Sequence, residues 1–144
     1  MQSVKKQVQT IIQSFRRGTI FFPEQFYSVG SDEAVRQALS RIYKEGMIVR
    51  LSKGIYLYPI IDDEVGILYP SIESVAKAIS ERDKARIQPT GVYALNRLGL
   101  STQVPMNIIF LTDGIPRKVS VGKHTITFMK SAPRNFAYQG KVTP

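Results

Sequence analysis

One short stretch carries the side chains best suited to reading a nucleic acid: Arg36, Gln37, Ser40 and Arg41, with Lys44 at the end of the same row. A guanidinium can meet guanine O6 and N7 with two parallel hydrogen bonds, and a carboxamide can do the same for adenine. Arg50 and Lys53 follow closely and suit phosphate, which fixes position without reading sequence. Each phosphate neutralised this way releases counterions, so such binding falls steeply with salt.

Other chemistry is poorly supplied. There is no cysteine, which removes disulfides, thiolate metal sites and a thiol nucleophile. The single histidine, His124, rules out a multi-histidine metal site and has no evident carboxylate partner for a Ser–His–Asp arrangement. Asp62, Asp63 and Glu64 form the one acidic cluster, but neighbours on an extended chain point to opposite faces and do not converge on a metal. Asp113 precedes a glycine and fits a turn better than a catalytic carboxylate. The glycines from Gly91 to Gly99 come without the lysine of a phosphate loop. The expectation is a protein without catalytic residues, metal or cofactor.

The elements that must hold the basic row can be read from periodicity. Residues 3–17 place Val4, Val8, Ile11, Ile12 and Phe15 at helical spacing, with Ser3 as cap and Gly18 as stop. Thr19–Phe22 is a short β-prone run, and Pro23 opens a short second helix over 23–27. Ser31, Asp32 and Glu33 supply an N-cap and two first-turn acids. A third helix follows, with Val35, Ala38, Leu39 and Ile42 inward and Arg36, Gln37, Ser40, Arg41 and Lys44 outward. Residues 47–51 and 55–58 flank Ser52-Lys53-Gly54 as a β-hairpin that Pro59 ends. Helix, strand, two helices and a hairpin make a winged helix-turn-helix, whose third helix enters the major groove. The reading requires the arginines of residues 31–45 to face outward, free of the molecule's own carboxylates.

Charge divides the chain. Of its 144 residues, 20 are Lys or Arg and 11 are Asp or Glu, a net of +9, which points to a polyanionic partner. Residues 1–60 hold 9 basic and 4 acidic side chains, residues 61–70 hold three acids and no base, and residues 71–144 hold 11 basic and 4 acidic ones. The acidic stretch between Pro59 and Pro70 reads as a linker over 60–70, or else as a surface loop, between a winged helix at 1–59 and a second unit at 71–144. No apolar run is long enough to cross a bilayer, and the N-terminus lacks an apolar signal core, so a cytoplasmic protein is expected.

The second unit reads as α+β, like the chain as a whole. Ser71 caps a helix with Ile72, Val75, Ala76 and Ile79 inward, ending near residues 83–86, and Thr90 caps a short helix ending at Gly99. Runs 107–112, 117–121 and 125–129 then give a small antiparallel sheet. Arg117, Lys118, Lys123, His124 and Lys130 mark either a second nucleic-acid surface, with RNA as a candidate, or the lysines that protect exposed strand edges. Tyr93, Phe110, Phe128 and Phe136 read as core rather than as stacking platforms.

The string GTIFFPEQF, then SDEAVRQALSRIYKEGMIVRLSKGIYLYP, resembles the N-terminal winged helix of AbiEi-family antitoxins from type IV toxin–antitoxin and abortive-infection systems. PTGVYALNRLGLSTQVP and NIIFLTDGIPRKVSVGKHTITF resemble the second block of that family's short members, so the likeness spans about residues 15–140. It implies a cytoplasmic repressor that binds the double-stranded DNA of its own operon through Arg36, Arg41, Arg50 and Lys53. It also implies an antitoxin acting against a nucleotidyltransferase-like toxin without a stable complex. Longer members continue into further helices, whereas this sequence stops at Val142-Thr143-Pro144, as a shortened form or a fragment would. The competing readings are a winged-helix protein–protein module and an RNA-binding or nuclease-like antitoxin domain.

Overall fold

The computed structural model describes residues 3–100 and 105–131, and the chain divides into two units, Met1–Pro70 and Ser71–Pro144. Both mix helices and sheet, so the α+β class holds.

The first unit begins with helix α1, Val4–Ser14, capped by Ser3 Oγ accepting from Lys6 N. Strand β1, Thr19–Phe21, leads into one 3-10 turn, Pro23–Phe26, where a short helix is expected. Helix α2 spans Asp32–Lys44, with Ser31 Oγ accepting from Ala34 N and Gly46 leaving the helix in a left-handed conformation. Strands β2, Val49–Ser52, and β3, Ile55–Tyr58, form the hairpin around Lys53 and Gly54. Gly54 has φ +76°, which this tight turn requires and a side chain would strain. β3 is the middle strand, antiparallel to both β1 and β2.

The core of this unit is the inward stripe of α2 against α1 and the sheet. Val35, Leu39 and Ile42 are fully buried beside Val8 and Ile12. Phe21 joins the layers, edge-on to Phe26 at 5.7 Å and stacked on Tyr56 at 5.8 Å.

Residues 60–70, expected as a linker, carry a second hairpin of strands β4, Ile60–Asp62, and β5, Gly66–Leu68. Asp62 Oδ2 accepts from Val65 N at 3.4 Å and Gly66 takes φ +83°, so the acidic residues build a turn. Apolar pairs on either side, Ile60-Ile61 and Ile67-Leu68, supply the strands.

The second unit starts with helix α3, Ile72–Asp83, capped by Ser71 and ended by Lys84 in the left-handed region. Strand β6, Ile87–Pro89, which the sequence reading lacks, precedes the short helix α4, Gly91–Arg97. Strands β7, Asn107–Thr112, β8, Arg117–Val121, and β9, His124–Lys130, complete a sheet ordered β6-β7-β9-β8. The expected all-antiparallel sheet is corrected here: β7 and β9 run parallel, with Phe110 beside Phe128. β8 alternates polar Lys118 and Ser120 with buried Val119 and Val121, which suits an edge, and β9 takes the centre. The turn of residues 113–116 therefore passes over the end of β9. Buried Tyr93, Phe110 and Phe128 pack ring to ring, as expected of core residues, while Phe136 lies outside the described residues.

Candidate nucleic-acid interface

Residues 36, 37, 40, 41 and 44 lie on the side of α2 opposite its buried stripe. Arg36, Gln37, Arg41 and Lys44 are exposed and Ser40 is half-buried. The periodicity that buries Val35, Ala38, Leu39 and Ile42 leaves them no other direction. Arg50 on β2 and Lys53 in the hairpin turn are also exposed.

These side chains differ in how much charge they offer. Arg36 Nε donates to Asp32 Oδ1 at 2.8 Å, and the Tyr27 hydroxyl donates to the same oxygen. The hydrogen bonds from Tyr27 and then Arg36 hold the Asp32 carboxyl below the usual carboxylate range. The bond to Asp32 in turn raises both the Tyr27 hydroxyl and the Arg36 guanidinium. Arg36 is thus tied by a carboxylate of its own helix, against the requirement set by the sequence reading. Its Nη1 lies 3.7 Å from where a Cβ on Gly54 would stand, so it also reaches from the helix to the hairpin turn. The i,i+4 spacing of Asp32 and Arg36 was the available signal for this pair. Tyr27 arrives from the preceding turn, and nothing in the sequence marks it.

Arg41, Lys44, Arg50 and Lys53 are different. Among the described residues no carboxylate is within ion-pair range of any of them. Glu45, the acid four residues after Arg41, is taken by Lys5 and by Gln9 Nε2 at 3.3 Å, both from α1. Packing α1 against α2 therefore withdraws the acid that would have neutralised Arg41. Arg17 is used within the fold: its guanidinium stands 4.5 Å over the Tyr58 ring and Nη1 donates to Pro59 O at 3.0 Å.

The second group of basic residues divides, with Lys118, Lys123 and Lys130 exposed and Arg117 largely covered. Arg117 is a correction, because it is turned inward: its side chain is 15% exposed and Nη2 meets Asp83 Oδ2 at 3.3 Å. It shares a face of β8 with Val119 and Val121, so the strand that buries those valines turns Arg117 inward too. Lys130 Nζ donates to the carbonyls of Asp113 at 2.8 Å and Gly114 at 3.3 Å, holding the turn that crosses the end of β9. His124 Nδ1 is 3.1 Å from Pro105 O. Lys118 and Lys123 remain exposed.

Asp113 is structural as well. Its Oδ1 accepts from Arg86 N at 2.7 Å and its Oδ2 from Arg86 Nε at 2.9 Å. Those bonds, the backbone one foremost, lower its carboxyl below the usual range. Among the described residues no three His, Asp or Glu side chains converge as metal ligands, and no helix is long and apolar enough to cross a membrane. A cleft of about 350 Å³ in the second unit is lined by Glu73, Ala76, Lys77, Ser80, Ile87, Pro89 and Phe110.

Both units are thus α+β, and the first carries four exposed cations, Arg41, Lys44, Arg50 and Lys53, that have no carboxylate partner among the described residues. Its sequence from residue 7 to 144 matches the model of a family of unknown function, DUF6088, and the chain belongs to that family. Comparison with curated proteins and with solved structures gives no match.

Proposed function

We propose that residues 1–59 are a winged helix-turn-helix and that the protein is a sequence-specific DNA-binding transcriptional repressor. The observation that carries this reading is the set of four unneutralised cations, Arg41 and Lys44 on α2 and Arg50 and Lys53 on the adjoining hairpin. The pairing of β1 with the second strand of that hairpin supports it, since it ties the hairpin to the helical unit. Gln37, Ser40 and Arg41 are the base readers and Lys44, Arg50 and Lys53 hold phosphates. Arg36 brings little net charge because Asp32 offsets it. The inward turn of Arg117 and the engagement of Lys130 weigh against an RNA surface on the second unit.

The antitoxin role, against a nucleotidyltransferase-like toxin, rests on the AbiEi resemblance alone. A toxin of that kind encoded beside this chain, and relief of its toxicity by coexpression, is the expected result. A gel-shift titration tests the repressor. The region upstream of the protein's own gene should bind about 10³-fold more tightly than a scrambled duplex of equal length. Equal weak affinity for both overturns sequence-specific repression, and no binding to either overturns DNA binding.

A further inference from the structure

The hairpin at residues 60–69 is the densest run of exposed apolar side chains among the described residues. Ile61 is 58% exposed and Val65 68%, and Ile60, Ile67, Leu68 and Tyr69 are all exposed beside them. β4 and β5 pair only with each other among the described strands, which leaves two open edges. A two-stranded ribbon is marginal in water and gains stability when further strands join it.

The ribbon is also polarised. Its tip carries Asp62, Asp63 and Glu64 without a base. Its other end is basic. Arg17 donates to Pro59 O there, Arg16 is exposed beside it, and a Cβ on Gly18 would stand 3.3 Å from Ile60 Cδ1. Three residues of strand separate the two ends by about 10 Å. An antiparallel edge-to-edge pairing of two such ribbons brings each acidic tip to the other's basic end. The same contact is made twice, as a two-fold interface demands. A ribbon with one sign of charge throughout would repel its copy.

We propose that this ribbon is a self-association surface whose occupant is a second copy of the chain. β5 of one protomer pairs with β5 of its partner, because Ile60 on β4 already rests against Gly18. The result is a four-stranded sheet with Ile61 and Ile67 on a shared apolar face. Asp63 and Glu64 of each protomer sit against the Arg16 and Arg17 end of the other. This does not depend on DNA binding, since none of these residues belongs to the α2 and β2 face.

Sedimentation equilibrium of the full chain, from low to high micromolar concentration, tests it. The wild type should approach twice its 16.2 kDa mass as concentration rises. Ile67→Lys should return it to 16.2 kDa, as should Glu64→Arg or Arg16→Glu alone. Glu64→Arg combined with Arg16→Glu should restore the dimer, a rescue that misfolding cannot mimic. A wild type that stays monomeric throughout overturns the proposal and leaves a foreign partner as the occupant. A dimer that survives all three single changes overturns it as well.

Discussion

Salt dependence offers the sharpest test of the cationic face. Four cations without a carboxylate partner among the described residues, Arg41, Lys44, Arg50 and Lys53, face outward from α2 and its hairpin. Duplex binding releases about 0.9 counterion per phosphate neutralised, so the three phosphate contacts of Lys44, Arg50 and Lys53 give a log–log slope of about −2.7. Raising salt from about 50 to 200 mM should then weaken binding by about 40-fold. The double variant Arg50→Ala/Lys53→Ala should flatten the slope to about −0.9, for a loss of only about 3.5-fold over that range. Removing Asp32 and Arg36 together takes away a pair with no net charge, and should leave the slope on non-operator duplex nearly unchanged. Fluorescence anisotropy on one labelled duplex at a series of salt concentrations measures all three proteins. A wild-type slope near zero refutes the reasoning. So does a steep slope that the Arg50 and Lys53 substitutions leave intact, because the contacts would then lie elsewhere on the chain.

Two further predictions concern the second unit. Arg117→Ala leaves Asp83, whose side chain is 9% exposed, without its cation and should cost about 3–5 kcal/mol. Arg117→Leu/Asp83→Leu should recover most of that loss; urea unfolding measures both, and a single-variant cost below about 1 kcal/mol contradicts the buried pair. Asp113→Ala should destabilise the protein near neutral pH by about 1–3 kcal/mol through lost charge-assisted bonds to Arg86. Because folding lowers the Asp113 pKa, its contribution is complete above the unfolded value of about 3.9. It fades as pH falls from there through the folded value, so the gap between wild type and variant should close in acid. A gap of constant size across thermal melts from neutral to acid pH counts against that account.

Much of the fold could be read from residue order, because local rules governed it. Serines at 3, 31 and 71 each accept a hydrogen bond from a backbone N–H three residues on. The buried stripe of α2 is the i, i+3, i+4, i+7 set, and the outward row follows by elimination. The hairpin at 60–68 was missed because its acids resemble a solvated linker, though apolar pairs flank a turn ending in glycine. β6 was missed because three residues ending in proline give no alternation to read. The candidate interface was half legible. The exposure of Arg36 and Arg41 came from periodicity, but which of them keeps its charge did not.

What residue order determined was each element, its cap and the side of α2 that faces water, since these depend on contacts within about one helical turn. What only the folded chain decided were pairings across long separations. Lys5 and Gln9 take Glu45 from Arg41, Arg117 turns to Asp83, and β9 inserts beside β7 with β8 beyond it. Whether a charged group is free or spent depends on which other group arrives within a few ångströms. That is fixed by the packing of elements far apart in the chain, which no local pattern records.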